Sequence, residues 1–543
     1  MARFAALRFL RQMAADHAAA ERTGMPVDEY REAKAALHRR ELSRRDVLRL
    51  VGSAAVVAGA ATAFSRPVPA FAGTPPSIAV VGAGLAGLNA ALTLHDAGLS
   101  CTVYEASDRV GGRMFSERGY WDNGQTSEWG GELIDREHDA VLRLCKRFGL
   151  SLVDVLKAEP RGGEEVLHFF GGYYPRSQAD IDFKAVWPKL KADLDAAGPT
   201  TDWQTHTPAG VELSRMSIHE WIETRVPGGR TSPLGQFIDV AYVVEYGADT
   251  TEQSALDLVY MMGYQKNPNR FEVWGQSDER FHIDGGNQQL PEAIADALPN
   301  GTVRHGCQLV ALASNSDGTQ TLTFDVDGST REVRADHTVL AVPLGVLQRL
   351  DLSGAGFDQR KTESIKAMQM GACTKLNMQL SSRVYLGEGP WPGISSGESF
   401  TDSGYQQVWD ATRGQQGRTG ILIQYGGGTP AESLRPSAPF LTAEDKYVRL
   451  TAEQMLASVD KVLPGARDAW IGKAALSAWH LNPLSHGAYC YWPTDYCHRY
   501  SGYEAVRQGN IHFAGEHTSI DYQGFMNGAA VEGQHAAEEI LNP

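Results

Sequence analysis

The sequence predicts an α/β chain, of the two-lobed α+β kind, and three observations point that way. Near the front, the apolar run Ile78-Ala-Val-Val81 passes into spaced glycines, a helix-forming stretch at 88–97 and a second apolar run at 100–104 that ends in an acid, Glu105. Near the back, Asn510-Ile-His-Phe-Ala-Gly515-Glu516 is another apolar run that enters a glycine and an acid. Residues 135–281 read differently, with helix-like stretches at 140–148, 181–194 and 218–225 broken by Gly and Pro. At 543 residues the chain can build two or more lobes around a large core.

In the front segment the glycines have distinct duties. Gly82 permits the tight turn after the strand, Gly84 lets backbone approach a pyrophosphate, and Gly87 lets helix and strand pack closely. The helix start offers unpaired N–H groups to the phosphates, and the Glu105 carboxylate suits ribose hydroxyls. Strand, glycines, helix, strand and acid in that order predict a Rossmann-type lobe, and with Gly515 and Glu516 from the far end they read as the two halves of one FAD site.

A formal charge of −15 and an isoelectric point near 5.6 argue against a nucleic-acid surface, since phosphate binding needs basic patches. The six cysteines form no C-x-x-C pair and no zinc-like spacing with histidine, so no metal is expected and they read mainly as small buried residues. Cys490 and Cys497 are the pair an oxidising compartment could join.

At the N-terminus, Ser43-Arg44-Arg45-Asp46-Val47-Leu48 precedes an apolar small-residue run at 51–64 and then Pro69-Ala70-Phe71-Ala72. Paired arginines, a modest apolar run and an Ala-x-Ala ending are expected of a twin-arginine export signal cleaved between Ala72 and Gly73. That expectation makes the export machinery a partner and the periplasm or the exterior the destination. The segment 1–41 ahead of the arginines is a departure, read as a pro-region, a chaperone-binding piece or a misjudged start.

Beyond the first strand–helix unit come Arg109-Val-Gly-Gly-Arg113-Met and Glu128-Trp-Gly130-Gly131-Glu-Leu133-Ile-Asp. Here the chain resembles the flavin-containing amine oxidase family, which includes monoamine oxidases, polyamine oxidases and L-amino-acid oxidases. The resemblance implies that Arg113 contacts the phosphates or ring edge, that Gly130, Gly131 and Leu133 line the isoalloxazine, and that Leu309, in Val303-Arg-His-Gly-Cys-Gln-Leu309, lies by the adenine. Glycines admit a flat ring close to backbone, and arginine balances pyrophosphate charge. Further on, a small hairpin is expected at 321–324 and 331–333 around Asp327-Gly328, and a buried strand within 336–343. The expected organisation is a signal region 1–72, an FAD lobe from 73–135, 282–350 and 500–543, and a substrate lobe from 136–281 and 351–499.

Three segments carry the expected chemistry. Met370-Gly-Ala-Cys-Thr-Lys375-Leu-Asn-Met-Gln-Leu380 resembles the family segment whose lysine holds a water against flavin N5, and alternation puts Lys375 with Asn377 and Gln379 on the non-apolar face of a strand. Trp479 leads to His486-Gly-Ala488-Tyr489-Cys490-Tyr-Trp492, and Asp521-Tyr-Gln-Gly524-Phe525-Met526 follows later. The resemblance places Tyr489 and Phe525 on opposite sides of the amine path, an apolar slot whose ring faces attract an amine. Many relatives have tyrosine where this chain has Phe525. A helix over 526–540, beginning at Met526, is expected to aim its N-terminus at flavin N1 and O2, with Glu516 at the ribityl or ribose region. Some relatives join FAD to a cysteine just before the first cage tyrosine. Ala488 stands there, so FAD is expected to be held non-covalently, while Cys490 should point away from the slot.

The reaction implied is oxidation of the C–N bond of an amine or L-amino acid to an imine, by hydride transfer to flavin N5. Oxygen then yields hydrogen peroxide, and hydrolysis gives carbonyl plus ammonia or amine. An amino acid needs an arginine for its carboxylate, a polyamine needs acids for remote ammonium groups, and an aryl-alkyl amine needs apolar walls. Arg136 is the candidate carboxylate clamp, with a solvated arginine as the plainer reading. The alternatives are an amine dehydrogenase with another electron acceptor, a C–C desaturase or porphyrinogen-type flavoenzyme, and a flavin-binding module without turnover. A homodimer is among the assembly states left open.

Overall fold

The computed structural model describes residues 75–265 and 270–542, so the export-signal region 1–72 lies outside the described residues. Within them, Ile78–Val81 is the central strand of a five-stranded parallel sheet. Thr102–Tyr104 and then Val303–Arg304 lie on one side of it, and His337–Leu340 and then Ile511–Phe513 on the other. Four chain segments far apart in sequence therefore meet in one sheet. All four residues of Ile78–Val81 are buried, as a run covered on both faces should be.

Gly82, at φ +100°, makes the turn out of the first strand, and an added Cβ would meet Ala341 O at 2.7 Å. The following helix, Leu85–Asp96, begins three residues before the expected 88, because Gly84 already serves as its extended N-cap. The last helix, Met526–Leu541, packs on it so closely that a Cβ at Gly533 would meet Ala86 O at 2.1 Å, and Asn89 Nδ2 donates to Ala530 O at 2.6 Å. This packing brings the two ends of the described chain together on one face of the parallel sheet.

The expected hairpin is there with longer strands, Gln320–Val326 and Ser329–Ala335. Asp327 and Gly328 both have positive φ, the conformation of a tight two-residue turn. Gln308–Ser314 adds a third strand that the sequence pattern had not separated from the loop before it.

The second lobe is built on an eight-stranded mixed sheet, with helices such as Arg176–Ala197, Ile218–Arg225 and Pro233–Tyr246 around it. Arg176–Ala197 outruns the expected 181–194 and contains Pro188, so that one backbone bond is missing inside it. Cys373–Leu380 runs near the middle of the sheet, antiparallel to Gly420–Gly427 and to Trp470–Ala478. Leu376, Met378 and Leu380 enter a core with Val448, Leu456 and Val459 of helix Lys446–Val462. Lys375, Asn377 and Gln379 share the opposite face as the alternation predicts, but that face is buried rather than wet.

All six cysteines are free. Cys490 and Cys497 are not bridged: the Cys490 thiol donates to Glu516 Oε2 at 2.9 Å, while Cys497 sits in the short helix Cys497–Tyr500. Cys101 and Cys307 are half-buried, which departs from the expectation of burial. Among the described residues no helix is long and apolar enough to cross a membrane.

Asn527 ties the last helix to the helix Asp139–Arg147, its Oδ1 accepting from Ala140 N at 3.0 Å and Val141 N at 3.2 Å. Asn527→Ala leaves two buried helix-start amides without an acceptor. It should cost about 1–3 kcal/mol in a denaturant melt, whereas Asn527→Asp, which keeps the acceptor, should lose less.

Candidate active site

One cavity runs from the glycine turn of the parallel sheet to the buried polar face of the large sheet. It is bordered by Gly82, Gly84, Glu105, Arg113, Gly130, Gly131, Leu133 and Leu309 from the front and middle of the chain, and by Gly515, Glu516 and Met526 from the end. Lys375, Trp479, Tyr489 and Phe525 border it too. Gly87 does not; it packs under the turn, where a Cβ would meet Gly82 O at 1.9 Å, the close helix–strand approach that the sequence implies for it.

At the phosphate end, a Cβ on Gly84 would meet nothing within 4 Å, so the backbone there faces open space. Leu85 and Ala86, the first residues of helix Leu85–Asp96, also face the cavity, and a helix start leaves its first amides without intrahelical partners. Glu105 is held by the turn itself: Oε2 accepts from Ala83 N at 2.7 Å, and Oε1 from Ser107 N at 2.9 Å and from Ser107 Oγ at 2.7 Å. Each carboxylate oxygen carries more than one lone pair, so acceptor capacity remains on the cavity side.

Arg113 and Glu516 are each other's partners, with Nη1 to Oε1 at 2.7 Å, and the same Nη1 donates to Ala488 O at 2.7 Å. Glu516 Oε2 further accepts from Gly524 N at 2.9 Å. Burial works most strongly to raise the Glu516 pKa, but Arg113, His517 and the Cys490 thiol together outweigh it and leave the pKa below the ordinary value. Both residues border the cavity while holding these protein partners, and Arg113 keeps its remaining N–H groups.

The turn Gly130-Gly131 is shaped from three sides. A Cβ at Gly130 would meet Arg113 O at 2.1 Å and the Trp479 ring at 2.9 Å, and one at Gly131 would meet Met526 Sδ at 3.1 Å. Trp479 is locked in place by its indole N–H, which donates to Trp129 O at 2.7 Å, so it acts as a prop beneath the turn. Asn287 donates to Gly131 O at 3.0 Å and Glu132 O at 2.6 Å.

Lys375 reaches this turn from the large sheet. Its ammonium donates to Gly130 O at 3.1 Å and pairs with Glu132 Oε2 at 2.5 Å, with the Trp409 ring centroid 5.4 Å away. The Trp409 indole N–H donates to Glu132 Oε1 at 3.0 Å. Burial raises the Glu132 pKa, yet Lys375 and Trp409 outweigh that, and it ends below the ordinary value. Glu132 was passed over as a spacer between Gly131 and Leu133, and nothing in its local pattern links it to a residue more than two hundred positions on.

Tyr489 donates to Val244 O at 3.2 Å. Its single proton is thereby committed, so in the 2.9 Å contact between the two hydroxyls Tyr425 donates to Tyr489. Tyr425 lies directly across the strand ladder from Lys375. Burial pushes the pKa of both phenols well above normal, which keeps them neutral. Phe525 borders the same space, 5.2 Å from the His138 ring. Cys490 faces Glu516 and is not among the cavity residues, as alternation along an extended segment requires.

Arg136 is no clamp: it is exposed, pairs with Asp278 at 2.7 Å and lies outside the cavity. Arg413 borders the cavity on the large-sheet side, buried and paired with Glu159 at 2.6 Å. Glu245, Glu279 and Glu398 border the same end.

Residues 85–541 match the family described as flavin containing amine oxidoreductase. The chain belongs to that family. It is 23% identical to a mouse L-amino-acid oxidase over 86% of this chain and 71% of that protein, and 24% identical to the rat amine oxidase [flavin-containing] B over 86% of each. Among solved structures it resembles a putrescine oxidase (TM-score 0.71, 22% identity, 86% of this chain and 99% of that one) and the cyclohexylamine oxidase of Brevibacterium oxydans IH-35A (TM-score 0.72, 20% identity, 86% and 99%). The two-lobed fold and the flavin are thus those of the family, with FAD as the cofactor.

The residues present fit that cofactor. Open space over Gly84, free helix-start amides and a turn stripped of side chains at Gly130 and Gly131 suit a dinucleotide ending in a flat ring. With Ala488 before the cage tyrosine, acid precipitation of the holoprotein should leave yellow flavin in the supernatant. Flavin that stays with the pellet would show a covalent link.

Proposed function

We propose that this chain is an FAD-dependent oxidase of amines or L-amino acids. The substrate's CH–NH bond loses two electrons and two protons to become an imine, which water converts to a carbonyl and ammonia or amine. Oxygen takes up the two electrons and two protons and leaves as hydrogen peroxide. FAD supplies the two-electron acceptor.

The observation that carries this reading is Lys375, held by Glu132 and Gly130 O beside the glycine turn, in the same cavity as Tyr489 and Phe525. Two of its three N–H groups are committed, and the third is left to hold a water. The salt bridge to Glu132 keeps this ammonium in place, so its role is to orient. Tyr489 and Tyr425, both neutral, give the amine a polar edge on an otherwise aromatic wall with Trp409 and Phe440. Aromatic lining favours an amine that has shed its proton and much of its water.

Followed anaerobically, the flavin band of the holoprotein should bleach on amine addition and recover in air with release of hydrogen peroxide. Bleaching without peroxide in air would show a dehydrogenase instead, and no bleaching by any amine would favour a desaturase or a module without turnover. Lys375→Met should keep its flavin yet slow reduction or reoxidation roughly 100-fold. An unchanged turnover would remove Lys375 from the mechanism.

We also infer export by the twin-arginine route, on the strength of Arg44-Arg45 ahead of the apolar run and Ala70-Phe-Ala72 after it. Replacing both arginines by lysine should leave the uncleaved precursor in the cytoplasm; a mature protein still found outside would refute the signal.

A further inference from the structure

At the end of the cavity away from the dinucleotide turn, charges do not balance. Lys375 is neutralised by Glu132 at 2.5 Å and Arg413 by Glu159 at 2.6 Å. Glu398 shares the Arg413 charge with Glu159, and Glu245 and Glu279 remain with no ion pair of their own. The carboxylates of Glu245 and Glu279 make no hydrogen bond and no ion pair among the described residues. Both are enclosed by protein, and the surface they keep faces the cavity. Glu398 Oε1 accepts from Gln407 Nε2 at 2.8 Å and is otherwise free toward the same space.

Each acid is held there at a cost. Glu245 lies in the last turn of helix Pro233–Tyr246, where the helix dipole disfavours an anion. Glu279 has a φ of +42°, unusual for a residue with a side chain, and its amide is fastened to Asp135 Oδ1 at 2.8 Å. Glu398 lies in the stretch of strand Ile394–Thr401 where pairing with Gly163–Phe169 slips register between Ser395 and Ser399, and such irregularities re-aim side chains. Three unrelated pieces of backbone thus converge three carboxylates on one open space, and burying anions without partners is unfavourable.

We propose that these three glutamates form a subsite for a second cationic group on the substrate, remote from the amine that is oxidised. The substrate then carries two cationic nitrogens in solution and is called a dication in that sense, either a diamine or an L-amino acid with a basic side chain. This rests on the amine-oxidase reading and names the substrate class of that site. One ammonium sheds its proton at the aromatic slot while the other keeps its charge against Glu245, Glu279 and Glu398.

The titration of the subsite follows. Burial pushes the Glu245 pKa up to about 8, with Asp135 adding to it. Burial raises Glu279 well above the carboxylate range, helped by Glu398, Glu245 and Asp135 and opposed by Arg413. Burial raises Glu398 to about 7, with Arg413 opposing and Glu165 and Glu159 adding. Below that window the subsite holds protons and has little hold on a cation. As pH rises through about 7 to 8 Glu398 and then Glu245 ionise and selectivity for a dication appears. At neutral pH a dication that binds must displace protons from the subsite.

The test compares matched pairs on the full holoenzyme: 1,4-diaminobutane against 1-aminobutane, and L-lysine against L-norleucine. Binding is read by anaerobic calorimetry in two buffers of different ionisation enthalpy, and flavin bleaching is read separately. The expected result is at least roughly 10-fold tighter binding of the dication in one pair, with proton release at pH 7, and a roughly 10- to 100-fold fall in that preference in Glu279→Gln or Glu245→Gln. The pair that shows the preference tells a diamine from a basic amino acid. Equal binding within both pairs, or a preference untouched by both substitutions, overturns the subsite. Selective binding without bleaching by any amine would instead sink the amine-oxidase reading and leave the subsite standing.

Discussion

Arg113 and Glu516 stand 403 positions apart and meet at 2.7 Å inside the protein. Removing one partner of such a pair typically costs about 3–5 kcal/mol, because the other charge is left buried. The bond fixes more than two side chains. Its guanidinium also holds Ala488 O, just ahead of Tyr489, and its carboxylate holds Gly524 N, just ahead of Phe525. Tyr489 and Phe525, which border one cavity, therefore each follow a backbone group held by one ion pair. The Gly130-Gly131 turn lies against the backbone of the same arginine, with Gly131 N donating to Arg113 O at 3.0 Å. The backbone ahead of Tyr489 and of Phe525 is thereby tied to the glycine turn through Arg113.

A second buried pair, Lys375 with Glu132, does for the large sheet what the first does for the chain ends. It fastens the central strand Cys373–Leu380 to the glycine turn of the other lobe, and it explains why a face carrying Lys375, Asn377 and Gln379 is not wet. Gln379 continues the same join by donating to Asp122 O at 3.1 Å and to Gln125 Oε1 at 2.9 Å. The two lobes meet through polar contacts whose partners come from each, which suits a boundary that must also leave room for a ligand.

What was legible in the sequence was what local pattern encodes. Ile78–Val81 with Gly82, Gly84 and Gly87, the hairpin around Asp327-Gly328, the helix from Met526 and the alternation at Lys375 each depend on neighbours within a few positions. The resemblance carried the distant pieces, Tyr489, Phe525 and Glu516, into one site. Neither route reached Glu132, Trp409, Tyr425 or Asn287, whose duties exist only through partners brought close by tertiary packing. Arg136 shows the converse error, for proximity in sequence to the flavin turn suggested a role that its outward direction and its bond to Asp278 remove.

The same distinction separates the two ends of the cavity. The cofactor end is made from glycines and turns, whose backbone demands leave marks in any sequence that meets them. The far end is made from single side chains on a helix end, a loop and an irregular strand, and Glu245, Glu279 and Glu398 share no motif. Each can change without disturbing the Gly82 turn or the Arg113–Glu516 pair, because none of the three touches either by a hydrogen bond or ion pair among the described residues. The cofactor turn and the three acids therefore sit on separate pieces of backbone, and a change at one end of the cavity leaves the other end's contacts in place.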